Sequence, residues 1–149
     1  MPNWCRNVVT ISKNGADYEA IAKRIKTEGL YGQFIPAPKD MNSEELLTTC
    51  INNWGVKWDA NEAYIVIDNN RMLLDFDSPW NPPTRWIEHM ATLGYDISGA
   101  YWEENMQIGG TYKTENATIQ WTTEDMVTPG TEIYYDLILH GLIYVEDEI

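Results

Sequence analysis

The order of helical and extended patterns along this chain of 149 residues predicts an α+β fold, with an antiparallel sheet and helices on one face. Three observations predict it. Apolar residues at helical spacing alternate with short β-branched runs. Two extended runs flank Asn69-Asn70, which is typical of a tight hairpin because asparagine tolerates positive φ. Proline and glycine separate the elements, with no linker long enough to divide the chain.

The N-terminal half predicts one strand and two helices. A β-branched run at Val8–Ile11 indicates a strand. Asp17 is placed to cap a helix over 17–28, because its side chain can accept a hydrogen bond from a free N–H of the first turn. Alternating prolines exclude helix interior from 34–38, so this segment is an extended connector. A capping-box pattern then predicts a short helix over 42–53.

The next segment predicts a hairpin, a helix and a strand. The hairpin joins 63–68 to 71–76 across Asn69-Asn70. Asn81 is placed to cap the second main helix, with Pro82 at its first position, where a missing N–H costs nothing. Gly94 ends that helix, and the strand 95–103 follows.

This order of elements is the split βαβ, or ferredoxin-like, order. We therefore expect a ferredoxin-like sheet with helices on one face over residues 1–113. Residues 114–149 are expected to form an acidic C-terminal extension packed on the same domain. Strands at 107–113 and 117–121 and a helix over 131–140 are predicted around this boundary.

The charge of the chain is strongly acidic and unevenly placed. The net charge is −13, and residues 114–149 hold eight Asp and Glu and no Lys or Arg. This opposes direct nucleic-acid binding, which needs cations to neutralise phosphates. It steers the chain toward basic partners instead. The predicted acidic partner surface consists of Glu132, Asp136, Glu146, Asp147 and Glu148.

Several classes of protein are disfavoured by the absence of their signals. The N-terminus lacks a basic start followed by an apolar run, so no signal peptide is predicted. No run of about 18 apolar residues predicts a membrane span. Cys5 and Cys50 form no C-x-x-C pair, so we expect two free thiols in a reducing cytoplasm and neither metal nor cofactor.

Tryptophans and polar side chains supply the binding candidates. The densest cluster lies at 53–59, where Lys57 and Asp59 can pair on one side of an extended stretch. Tryptophan rings can stack a base, and a lysine can meet a phosphate. The structural interpretation, in which the rings cover the end of the sheet, is favoured for this cluster. The candidates are Asn53, Trp54, Lys57, Trp58, Asp59, Trp80 and Trp102.

Four local patterns occur together, namely NWCRN at 3–7, FIPAP at 34–38, NWGVKWD at 53–59 and FDSPWNPP at 76–83. They resemble the NWCxN, FxPxP, NWGTKWD and FxTxWSPP segments of the YubB-like ferredoxin-like family of phages and plasmids. Val56, Ser78 and Asn81 depart from those patterns. The resemblance covers about residues 1–110. It implies a ferredoxin-like fold and a mobile-element origin, and it implies no reaction.

Small accessory proteins of such elements often counter host defence. The first hypothesis is therefore a non-catalytic accessory protein that binds and blocks a basic or nucleic-acid-binding host protein in the bacterial cytoplasm. The alternative is a binder that sequesters a signalling nucleotide, with Arg6, Lys57 or Arg71 meeting its phosphate. An enzyme is least supported, because no nucleophile stands in a recognisable catalytic context. Ferredoxin-like sheets also pair through an edge or an open face, which allows a homodimer.

Overall fold

The computed structural model describes residues 2–144, which fold into one sheet with helices on both of its faces. The strands are β1 (Trp4–Ser12), β2 (Tyr64–Asp68), β3 (Arg71–Pro79), β4 (Asp96–Glu103), β5 (Ile108–Glu115) and β6 (Thr118–Glu124). The helices are α1 (Tyr18–Glu28), α2 (Ser43–Trp54), α3 (Thr84–Thr92) and α4 (Glu132–Leu139).

The six strands lie in the order β2-β3-β1-β4-β5-β6, and every neighbouring pair is antiparallel. The predicted α+β class and the antiparallel sheet are confirmed. Strand β1 is central, with β3 on one side and β4 on the other. The boundary expected between residues 113 and 114 falls inside β5, so the C-terminal part of the chain continues the sheet rather than starting beside it.

One face of the sheet, which we call the closed face, carries α1, α2 and α3. Side chains alternate along a strand, so β1 sends Val9 and Ile11 to this face. They join a core that includes Ile25 from α1, Trp54 from α2 and Trp86 from α3. This core buries aromatic rings from both the sheet and the helices, and burial of that area is the main stabilising contribution.

The opposite face, which we call the open face, carries α4. Ile133 and Leu137 of α4 lie in a second cluster with Ala100 of β4. A Cβ added at Gly109 would lie 2.6 Å from Leu137 Cδ1, so the missing side chain lets the helix approach the sheet. The expectation of helices on one face therefore holds for three helices. It is wrong for α4, whose apolar stripe covers the small residues of β4 and β5.

Two predicted helix caps are confirmed, and one is wrong. Asp17 Oδ1 accepts from the Ala20 N–H at 3.1 Å, and Asn42 Oδ1 accepts from the Glu45 N–H at 2.8 Å. Helix α3 begins after Pro83 with no side-chain cap. Asn81 lies two residues before the cap position at Pro83, and its side-chain amide instead donates to the carbonyl of Gly55 at 2.9 Å.

Within residues 2–144, every helix is too short or too polar to cross a membrane.

Candidate binding surfaces

The segment that follows α2 separates into buried and exposed side chains. Gly55 ends the helix in the left-handed conformation and turns the chain. Trp54 is buried and donates from its indole N–H to the carbonyl of Ile35 at 2.9 Å. Asp59 accepts from the N–H groups of Tyr31 and Gly32, both at 2.8 Å. Trp54 and Asp59 therefore hold loops in place and are not available to a ligand.

The expected pairing of Lys57 with Asp59 is wrong, because the chain bends here instead of running as a strand. The Asp59 carboxylate is taken up by backbone donors, including the N–H of Ala60. Burial raises the pKa of Asp59, and the N–H donors of Tyr31 and Gly32 oppose that rise. Asn53 is half-buried at the end of α2.

Lys57 forms one side of a pocket of about 330 Å³, which we call the tryptophan–lysine pocket. Its Nζ lies 5.9 Å from the centroid of the Trp80 ring, within the range of a cation–π contact. Trp80 is 46% exposed and has a φ of 70°. A bulky residue rarely takes this left-handed conformation. The lining residues are Ile51, Gly55, Val56, Lys57, Pro79, Trp80 and Asn81.

The ring of Trp58 contacts the ring of Trp4 at the start of β1. Its ring centroid lies 6.1 Å from that of Trp4, in an edge-to-face arrangement. The two rings are 41% and 47% exposed, which is unusual for tryptophan. Together with Trp80 they give this end of the molecule three accessible indole rings.

The four sequence patterns converge at this end of the molecule. Trp4 meets Trp58, and the N–H of Trp80 donates to the carbonyl of Asn3 at 2.7 Å. The indole of Trp54 reaches the connector at Ile35. The 3–7, 34–38, 53–59 and 76–83 segments therefore form one spatial unit. Sequence spacing alone contains no signal for this, because the contacts depend on the register of β1 with β3.

Polar groups also lie inside this unit. Asn7 is fully buried, and its amide donates to the carbonyls of Cys5 and Phe76 and to Ser78 Oγ at 2.8 Å.

Cys5 and Cys50 are free and buried. Burial raises the pKa of the Cys5 thiol to about 12, which keeps it protonated and unreactive at neutral pH.

Trp102 lies on the open face, apart from the tryptophan–lysine pocket. It borders a groove of about 330 Å³ with Trp4, Arg6, Glu104 and Tyr144, which we call the Trp4–Trp102 groove. Arg6 Nη2 pairs with Asp75 Oδ2 at 2.8 Å. Arg6 Nη1 donates to the Gly141 carbonyl at 3.1 Å and to the Tyr144 hydroxyl at 3.0 Å. This arginine therefore ties the segment after α4 to the sheet.

A larger groove of about 640 Å³ lies where α4 leaves the open face uncovered. Its floor is rich in hydroxyl groups from β1, β4, β5 and β6. Lys113, Asp136 and His140 provide its charged and titratable groups. The hydroxyl groups of the floor come from Thr10, Ser98, Thr111 and Thr122. No local sequence pattern predicts this groove, since its residues come from five separate strands and from α4 and its C-terminal end.

Two residues of the predicted acidic surface lie within residues 2–144. Glu132 and Asp136 are exposed one turn apart on α4. Glu146, Asp147 and Glu148 lie outside the described residues. The ion pairs within residues 2–144 use acids of the first hundred residues, namely Glu28, Asp68, Asp75 and Glu88. Five accessible acids of the C-terminal third have no ion-pair partner in this range, namely Glu115, Glu124, Asp125, Glu132 and Asp136.

No group of three or more His, Cys, Asp and Glu side chains within residues 2–144 is arranged to hold a metal ion. Comparison with protein-family models, with curated proteins and with solved structures finds no match to this chain. The function of the chain is therefore inferred from its geometry and charge.

Proposed function

We propose that this protein is a non-catalytic accessory protein of a phage or plasmid that binds and blocks a basic, nucleic-acid-binding host protein in the bacterial cytoplasm. Its first four strands would be a ferredoxin-like unit of the YubB-like family. The strand order β2-β3-β1-β4 with helices after β1 and β3 supports this assignment. The meeting of all four family-like patterns in one place also supports it.

The proposal is carried by the accessible acids of the C-terminal third. Acids that form ion pairs within a protein have part of their charge satisfied. The acids of the C-terminal third have no such partner within residues 2–144, and no Lys or Arg follows Lys113 in the sequence. Their field attracts cations over roughly 8 Å at physiological ionic strength. A basic surface that normally meets phosphates is the partner such a field selects.

An aromatic residue, Tyr144, precedes the acidic residues 146–148 in the sequence. Tyr144 lines the Trp4–Trp102 groove, and Glu146, Asp147 and Glu148 follow it in the sequence. Interfaces gain most of their affinity from a few aromatic or arginine anchors, while surrounding charges set specificity and association rate. In the proposed complex, the Trp4–Trp102 groove would provide affinity, and the acids would set specificity and association rate.

Affinity capture from a bacterial lysate tests this proposal when it is combined with charge removal. The wild type is expected to retain a basic protein that duplex DNA displaces. A variant with Glu132→Gln, Asp136→Asn, Glu146→Gln, Asp147→Asn and Glu148→Gln should lose most of that capture. The amount of protein that this variant captures should also depend less steeply on salt concentration.

A control carries the same kind of change outside the acidic surface, with Glu19→Gln on α1 and Glu62→Gln before β2. This control should retain the captured protein. Equal capture by the wild type and the acid-depleted variant, or a captured protein that DNA does not displace, contradicts the proposal.

A second candidate function is the sequestration of a small nucleotide in the tryptophan–lysine pocket. The specific observation is the Lys57 ammonium beside the accessible face of Trp80, which gives one ring for a base and one cation for a phosphate. Titration calorimetry with adenine and cyclic nucleotides tests it. Binding should be lost in Trp80→Ala and in Lys57→Gln, and a flat response of the wild type excludes it.

A further inference from the structure

Helix α2 presents an apolar strip to solvent although its other side is buried. Leu47 and Ile51 lie one turn apart on the same flank and are 43% and 45% exposed. Cys50 and Trp54 form the buried side of the helix. Ile51 also lines the tryptophan–lysine pocket, so the strip continues from α2 to the ring of Trp80. Three large apolar groups are thus exposed in one line.

The two ends of this strip carry opposite charges. Glu44 lies in the first turn of α2, on the flank that carries Ile51 two turns later. Lys57 follows the end of the helix and borders Trp80. Both side chains are exposed, and neither forms an ion pair within residues 2–144. The strip therefore runs from a negative end through an apolar centre to a positive end.

Such a strip is complementary to itself under a two-fold axis. Two helices that pack antiparallel place the N-terminal end of each beside the C-terminal end of the other. The turn of α2 with Glu44 and the helix end at Gly55 are about 16 Å apart at 1.5 Å per residue. An axis near Ile51 would bring Glu44 of each copy to Lys57 of the other. It would also bury Leu47, Ile51 and Trp80 of both copies.

We propose that the protein forms a homodimer through the strip Glu44–Leu47–Ile51–Trp80–Lys57, with two antiparallel α2 helices at its centre. The opposite charges at the two ends favour a second copy over a partner of single charge, because a uniformly charged partner would be repelled at one end. The strip consists of α2 and the segments at Lys57 and Trp80, whereas Glu115, Glu124, Glu132 and Asp136 lie on β5, β6 and α4, so dimerisation leaves these four acids accessible.

Analytical ultracentrifugation of the full chain tests the dimer. The wild type is expected to reach twice the mass of the chain as its concentration is raised from micromolar to millimolar. Ile51→Asp should remain monomeric throughout this range. Glu19→Lys, which changes the charge of α1 by two units rather than one, should leave the dimer unchanged. Circular dichroism of each variant shows whether it is folded.

A charge exchange identifies the contact between the two ends. Glu44→Lys alone and Lys57→Glu alone should each weaken the dimer at least tenfold, because each places like charges at both contacts. An equimolar mixture of the two single variants should form heterodimers, since every contact then joins opposite charges. The double variant Glu44→Lys/Lys57→Glu should form homodimers again.

A cysteine placed at the axis gives an independent measurement. Ile51→Cys is expected to form a disulfide between copies under mild oxidation, whereas Asn52→Cys, which points away from the strip, is not. A wild type that stays monomeric overturns the proposal, as does a dimer that the two single charge variants do not weaken. Nucleotide binding at Trp80 by a monomeric wild type would give the strip a different occupant and would overturn it as well.

Discussion

The closed and open faces of the sheet are made by the same strands and differ in what covers them. On β1, Val9 and Ile11 lie in the closed core, while Val8 and Thr10 on the open face remain half-buried. Three helices cover the closed face, whereas α4 and the residues that flank it cover part of the open face. The closed face therefore determines the fold by burying apolar area. The open face keeps grooves and charged groups.

The largest expected effect contrasts two neighbouring leucines of β3. Leu74 is buried in the closed core, and Leu73 borders the large groove of the open face. Leu74→Ala should lower the free energy of unfolding by about 2–5 kcal/mol, because it leaves a cavity. Leu73→Ala should cost roughly 1 kcal/mol, since the site is already half-solvated. Urea unfolding measures both, and equal losses would show that the two faces contribute alike.

A smaller effect is expected from exchanging valine and threonine between the faces. Val9→Thr places a hydroxyl in the closed core and should cost about 1–3 kcal/mol. Thr10→Val alters a groove-lining side chain of almost the same shape and should change stability by less than about 0.5 kcal/mol. Chemical denaturation of the two variants checks this contrast. A costly Thr10→Val would mean that the open face is more tightly packed than its exposure indicates.

The attachment of α4 through Arg6 is expected to contribute about 1 kcal/mol, a typical value for a partly exposed charged hydrogen-bond cluster. Arg6→Gln should lose that amount and speed hydrogen exchange of the α4 amides without affecting α1. Arg24→Gln removes an exposed i,i+4 pair with Glu28 and should have almost no effect. Unchanged α4 exchange in Arg6→Gln would show that Ile133 and Leu137 hold the helix by themselves.

The smallest expected effect is a dependence of the free energy of unfolding on pH, which arises from Asp59. Burial raises the pKa of Asp59, so the folded state takes up a proton more readily than the unfolded chain. Its contribution therefore increases the free energy of unfolding as pH falls from neutral toward the ordinary pKa of an aspartate. The free energy of unfolding of the wild type minus that of Asp59→Asn should become more positive as the pH falls from neutral. A change in the opposite direction would mean that the N–H donors of Tyr31 and Gly32 outweigh burial.

The sequence was most informative where a local rule decides the structure. The helix caps at Asp17 and Asn42, the hairpin at Asn69-Asn70 and the end of α2 at Gly55 depend on neighbouring residues alone. Asn81 shows the limit of such rules. Its cap was expected from spacing to Pro82, but the carbonyl of Gly55, 26 residues earlier, takes its amide.

The candidate site was predictable in composition and not in arrangement. Of the expected 53–59 cluster, Trp54 and Asp59 are structural, and Lys57 and Trp58 are accessible. Which ring is exposed depends on the turn after α2 and on the position of Trp4, neither of which spacing encodes. The grooves of the open face depend on where α4 lies across β4 and β5.

The left-handed backbone at Trp80 has a thermodynamic consequence. Glycine would adopt a φ of 70° at no steric cost, whereas a bulky side chain pays of order 1 kcal/mol or more. Trp80→Gly relieves that strain and Trp80→Ala retains most of it, so comparing the two separates the cost of the backbone from the value of the ring. A chain that retains tryptophan here gives up stability to keep an indole at the surface, which is the trade-off expected where selection acts on recognition rather than on folding.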